Sequence, residues 1–181
     1  MNNTWILLSF AFLCSCLSPE EIAISADDQI KALDLVVQSI AEDQAGTQLV
    51  KTVTLDGSQE SSTLPFDTLI VSKDLKTLKD YSFARLIRTT NYNKTAVDQG
   101  FLYERKAKEK KGPVSILIDK NEEGDIEELE LKLEDANLLY TSNQQIRLTF
   151  ENKKLATYRV QGSRKLIGME ATVFDISVRV Q

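Results

Sequence analysis

Ile126-Glu127-Glu128-Leu129-Glu130-Leu131-Lys132-Leu133 sets three leucines two residues apart with a charge between each pair. Successive side chains on a strand point to opposite faces, so this spacing predicts a strand with one dry and one wet face. The same alternation recurs on both sides: Ile116 and Ile118 before it; Ile146, Leu148 and Phe150 after it; then Val173, Ile176, Val178 and Val180 with one slip. Strands are expected over 83–91, 100–109, 113–119, 125–133, 145–151, 154–161 and 171–180. Turn residues separate them: Gly112-Pro113, Asn121 to Gly124, Asn152-Lys153 and Gly162-Ser163. Connections this short favour hairpin neighbours and hence an antiparallel meander. No long helix separates the strands, which argues against a parallel α/β sheet. The longest irregular piece is 134–144, where Leu138, Leu139 and Tyr140 are expected to plug one end of the sheet, or to rim a ligand site.

Towards the N-terminus the pattern changes. Val50 to Leu55 is rich in β-branched residues and is followed by Asp56-Gly57, a two-residue turn signal for a type I′ hairpin. Its return strand is polar, which suits a sheet edge. Residues 66–79, with Phe66, Leu69, Ile70, Leu75 and Leu78, read as a helix. A first helix is expected over 26–44 from Ile30, Leu33, Val36 or Val37, and Ile40. Two N-caps compete for its start, Ser18-Pro19-Glu20-Glu21 and Ser25-Ala26-Asp27-Asp28, and Gly46 is a stop. Its apolar stripe is expected to pack on the sheet.

The chain opens with Trp5 to Leu13, an apolar run with one Ser, which suits the core of a signal peptide. It is too short to span a bilayer, which needs roughly 20 residues. Leu13-Cys14-Ser15-Cys16 closes it and resembles the bacterial lipobox. The resemblance implies cleavage before Cys16 and lipid attachment at Cys16. Against it, Met1 to Thr4 carries no Lys or Arg. Plain secretion or a buried N-terminal strand are the alternatives. Acidic Glu20 and Glu21 soon after the cysteine resemble signals that send some Bacteroidetes-type lipoproteins to the cell surface. The organisation expected is 1–15 signal peptide, 16–25 lipid-anchored tether and 26–181 one globular domain. The fold class expected is α+β, with one or two N-terminal helices packed on a curved antiparallel meander of about seven to nine strands. The address is the bacterial cell envelope, anchored to a membrane and most naturally the outer one.

Composition narrows the chemistry. The sequence has no His, and its two cysteines both lie in the leader region. Imidazole bases, thiol nucleophiles and imidazole or thiolate metal sites are therefore excluded from the mature body, as is a disulfide within it. There is no G-x-S-x-G, no S-x-x-K and no Gly-rich phosphate loop, so no enzyme is expected. A net charge of −5 argues against nucleic acid as a partner. No cofactor is expected.

Two motifs have the spacing of sites. Asp119, Asn121, Glu123, Asp125 and Glu130 have the spacing of an EF-hand calcium loop, with Gly124 at the turn position. Their flanks are strand-like where the motif needs an entering helix, so a solvated hairpin turn is the reading adopted and no metal site is assigned. Arg105-Lys106-Ala107-Lys108-Glu109-Lys110-Lys111 would place Lys106, Lys108 and Lys110 on one strand face. A guarded strand end balanced by the acidic run 122–135 is preferred there to a contact with anionic lipid.

Several stretches together resemble a family of small lipoproteins of Bacteroidetes-type bacteria. They are a helix, Lys51-Thr52-Val53 with Asp56-Gly57 and Glu60, a second helix, and strands around Leu139-Tyr140-Thr141-Ser142 and Lys165 to Gly168. That family carries no assigned activity, so the resemblance implies an envelope address without a mechanism. The architecture also resembles the lipoprotein carriers LolA and LolB, which hold acyl chains between sheet and helices. The leading functional expectation is a lipid-anchored, non-enzymatic module that binds an envelope protein. The alternative is a carrier of lipid or another apolar ligand.

Overall fold

The computed structural model describes residues 46–79, 91–109 and 112–181. Cys16, the expected helix over 26–44 and, save for Asn91 in a turn, the expected strand over 83–91 lie outside the described residues. Within them are strands β1 (Gln48–Leu55) and β2 (Ser58–Pro65), helices α1 (Thr68–Asp74) and α2 (Lys76–Lys79), and seven further strands. These are β3 (Tyr92–Val97), β4 (Gly100–Arg105), β5 (Ser115–Lys120), β6 (Ile126–Ala136), β7 (Tyr140–Glu151), β8 (Lys154–Leu166) and β9 (Thr172–Val180). All nine strands join one antiparallel sheet in the order β2-β1-β9-β8-β7-β6-β5-β4-β3.

The meander therefore runs unbroken from β3 to β9. The β1–β2 hairpin, first in sequence, is laid against the last strand, with Leu49 opposite Val180. The polar β2 takes one edge. The chain leaves that edge at Pro65 and re-enters at the opposite edge with β3, so α1 and α2 begin a crossing over one face of the sheet.

That face holds the core. Ile116, Ile118, Leu129, Leu131, Ile146 and Leu148 lie in register across β5, β6 and β7 and are almost fully buried. Tyr158, Val160 and Val178 continue the layer, and Val71, Leu75 and Leu78 of the helical segment cover it. Fully burying side chains of this kind contributes roughly 1.5–3 kcal/mol each. Asp67 caps α1, its Oδ1 accepting from the Leu69 N–H at 2.7 Å.

Four expectations change. The described fold is dominated by its sheet, with two short helices where one helix over 66–79 was expected, so it is mostly β and not evenly α+β. The piece 134–144 is mostly strand, with β6 and β7 running on to Ala136 and Tyr140 around a short turn. It lacks alternation because its side chains are polar on both faces, while the hairpin pairing that orders it is made by the backbone. Leu138 and Leu139 are no plug; they stand 93% and 66% exposed beyond the strand ends. Gly162 and Ser163 are not a turn but the interior of β8. In addition, β3 lies where no strand was expected, and Lys106 and Lys108 follow β4 in a turn, sharing no strand face. Lys110 is outside the described residues.

Candidate functional site

Alternation gives each core strand a second set of side chains, and these meet on the face turned away from α1. One row across the sheet reads Leu117, Glu130, Arg147, Arg159, Ser177, Thr52 and Ser61. Its centre is unusual, because Arg147 and Arg159 are direct cross-strand partners. Like charges placed opposite one another destabilise a sheet. Here each guanidinium is clamped on its outer side. Arg147 donates from Nε and Nη2 to Glu130 Oε2 at 3.0 and 2.5 Å, and its Nε lies 3.2 Å from Glu128. Arg159 donates to Asp175 through Nε at 2.9 Å and Nη2 at 2.5 Å.

The carboxylates are set by this arrangement. Burial pushes the Glu130 carboxyl up. Hydrogen bonds from Arg147 and Gln145, with the charges of Arg147 and Lys132, outweigh it and hold the group below the usual carboxylate range. The arginines stay about half exposed, at 50% and 55%. Beside them Gln161 Nε2 donates to Gln145 Oε1 at 2.8 Å. Gln145, Arg147, Arg159 and Gln161 bound a recess of about 190 Å³. A larger open groove of about 460 Å³ adjoins it, lined by Lys132, Asn143, Gln145, Gln161, Ser163 and Asp175 among others.

A second polar cluster sits on the core face. Lys51 shares that face with Leu49 and Val53, and Asp74 at the end of α1 lies 2.6 Å from its Nζ. Tyr158 donates to the same oxygen, O–H to Asp74 Oδ2 at 2.8 Å. Burial, then the hydrogen bond to Asp74, pushes the Tyr158 phenol far up. Lys51, Val178 and Tyr158 are register neighbours across β1, β9 and β8. One carboxylate thus ties the helix to two strands. Little of it reaches solvent, so its role is to dock α1.

The residues with EF-hand spacing are spread along the β5–β6 hairpin. Asp119 lies in β5, and Asn121 Oδ1 accepts from the Asp125 N–H at 2.9 Å to close the turn. Glu123 is exposed at the turn, Asp125 lies 3.2 Å from Lys153, and Glu130 is committed to Arg147. Among the described residues no group of three or more carboxylates is placed to hold a metal ion. Also among them, no helix is long and apolar enough to cross a membrane.

Sequence reasoning missed the arginine pair. Arg147 and Arg159 sit at opposite parity to Ile146, Leu148, Tyr158 and Val160, which marks them as outward, but their register becomes visible only once β7 and β8 are paired. Comparison with protein-family models, with curated proteins and with solved structures gives no match to this chain.

Proposed function

We propose that this chain is a lipid-anchored protein of the bacterial cell envelope that acts by binding, without catalysis, and that the arginine-centred face of β6–β9 is its recognition surface. The observation that carries the binding reading is the Arg147–Arg159 pair. Its two guanidinium groups stand side by side, oriented by carboxylates, half exposed, and next to an open groove. A guanidinium held in this way loses little further freedom when it meets a carboxylate on a partner, which favours affinity. The mixed signs of Glu128, Glu130, Lys132, Glu134 and Asp175 around the pair suit a polar protein surface better than an acyl chain. The anchor at Cys16 rests on the lipobox resemblance, and several acyl chains there would supply stable attachment.

The test is purification of the native protein from membranes followed by mass spectrometry. An acyl mass on Cys16 and a stoichiometric protein partner are expected. The partner should be lost from the Arg147→Ala/Arg159→Ala double variant while Cys16 remains acylated. An unacylated protein retaining residues 1–15 would refute the anchor. A co-purified lipid held equally by wild type and double variant, with no protein partner, would favour the carrier reading instead.

A further inference from the structure

Strands β6, β7 and β8 outrun the rest of the sheet at one end, and β9 accompanies them for two residues, Val173 and Thr172. On one side β5 begins level with Lys132, and on the other β1 ends opposite Phe174. Past these levels the pairs continue from Leu133 opposite Gln144 to Ala136 opposite Thr141, and from Gly162 opposite Gln144 to Leu166 opposite Tyr140. This makes a blade about four residues, or roughly 13 Å, tall at the usual strand rise.

Its apex is apolar. Leu138 and Leu139 in the β6–β7 turn are 93% and 66% exposed; Leu166, Ile167 and Met169 around the β8–β9 turn are 53%, 74% and 61% exposed. Hairpin tips in water are ordinarily polar, and the rest of the described surface exposes few large apolar side chains. The tips are also held firmly. Asn137 Oδ1 accepts from the N–H groups of Leu139 and Tyr140 at 2.7 and 3.0 Å, and the Ile167 N–H donates to the Leu139 carbonyl at 2.9 Å. The two turns are therefore tied to one another and present their aliphatic side chains together as one crown.

We infer that this crown enters the surface of a lipid bilayer. The five apolar side chains at the tips line no groove, the open groove lying lower on the blade, whereas lipid flows around projecting tips and needs no matching shape. A second copy is disfavoured by size: the crown offers five side chains, against about 20–30 residues a side in a standard protein interface. Glu134 and Asp135 stand with Arg164 and Lys165 on the strands behind it, and Glu170 lies in the β8–β9 turn, so the surroundings are close to neutral. Entry is thus driven by apolar burial and does not require anionic lipid. The inference rests on the anchorage proposed above, which keeps the bilayer within reach. The expected tether, 16–25, bridges up to roughly 35 Å when extended.

The sequence has one tryptophan, Trp5, in the expected signal peptide, so an introduced indole is the reporter in the processed protein. Leu139→Trp, Ile167→Trp and, on the far face of β9, Ser177→Trp are purified from membranes and placed in phosphatidylcholine vesicles with or without brominated acyl chains. At the depth of interfacial insertion, about twofold quenching is expected at positions 139 and 167 and little at 177. No quenching at the two tip positions, or equal quenching at all three, overturns the inference. So does a doubled mass by sedimentation without lipid that the tip variants abolish. The intact mass of the same samples reports acylation separately. An acylated protein with unquenched tips loses the crown and keeps the anchor. An unacylated protein whose tips are quenched by added vesicles keeps the crown and loses the anchor.

Discussion

Asp74 shows how one side chain places an element. Its carboxylate accepts from both Lys51 and Tyr158, so α1 is fixed over a particular row of the sheet. Removing one member of a largely buried ion pair leaves the other charge without compensation. Asp74→Ala is therefore expected to lower stability by about 3 kcal/mol, read as a fall in the urea midpoint at unchanged slope. A loss under about 0.5 kcal/mol would mean that the pair does not dock the helix. Glu130 gives the residue scale a pH signature. Its folded pKa is depressed, so its contribution is fully present above the unfolded value of about 4.3 and is lost as pH falls through the folded value. Glu130→Gln should lower stability at pH 7 and flatten its decline between about pH 5 and 3. Equal acid sensitivity in the two proteins would count against the Arg147–Glu130 clamp.

Elements were legible where side chains alternate or a turn imposes a backbone angle. Asp56-Gly57 takes φ of 47° and 86°, both positive, as the two-residue turn demands. Leu129, Leu131 and Leu133 all point into the core, as their spacing predicts. Gly162 was legible as special and misread as to cause. An added Cβ there would lie 2.2 Å from the Asn143 carbonyl oxygen and 3.0 Å from the Phe174 ring. The glycine serves a close approach of β8 to β7 beneath an aromatic ring, and no turn. Gly162→Ala is accordingly expected to destabilise by about 1–3 kcal/mol in chemical unfolding. A neutral effect would mean that the two strands can separate locally at no cost.

The whole molecule is governed by a pairing of high sequence separation. The meander β3–β9 assembles from neighbours, but β1 completes its ladder only against β9, with Leu49 opposite Val180 and Leu55 opposite Phe174. Closing such a long loop slows folding, and all-β domains refold in milliseconds to seconds. Refolding followed by far-ultraviolet circular dichroism should fall in roughly that range. A submillisecond phase carrying the full amplitude would contradict a transition state that includes the β1–β9 pairing.

The sequence by itself determined the strand-rich character, the antiparallel order of neighbouring hairpins, the first turn and the helical stretch at 66–79. These depend on side-chain period and on local backbone angles, which neighbours within a few residues decide. It also excluded thiol and imidazole chemistry from the body, since the residues are absent there. Only the tertiary structure decided that the first hairpin joins the last strand, that Lys51 faces inward, that Arg147 meets Arg159, and that Leu138 and Leu139 crown a projecting blade. The first three follow from strand pairing and register and the last from strand length, and β1 takes its register from β9, many tens of residues away in the chain.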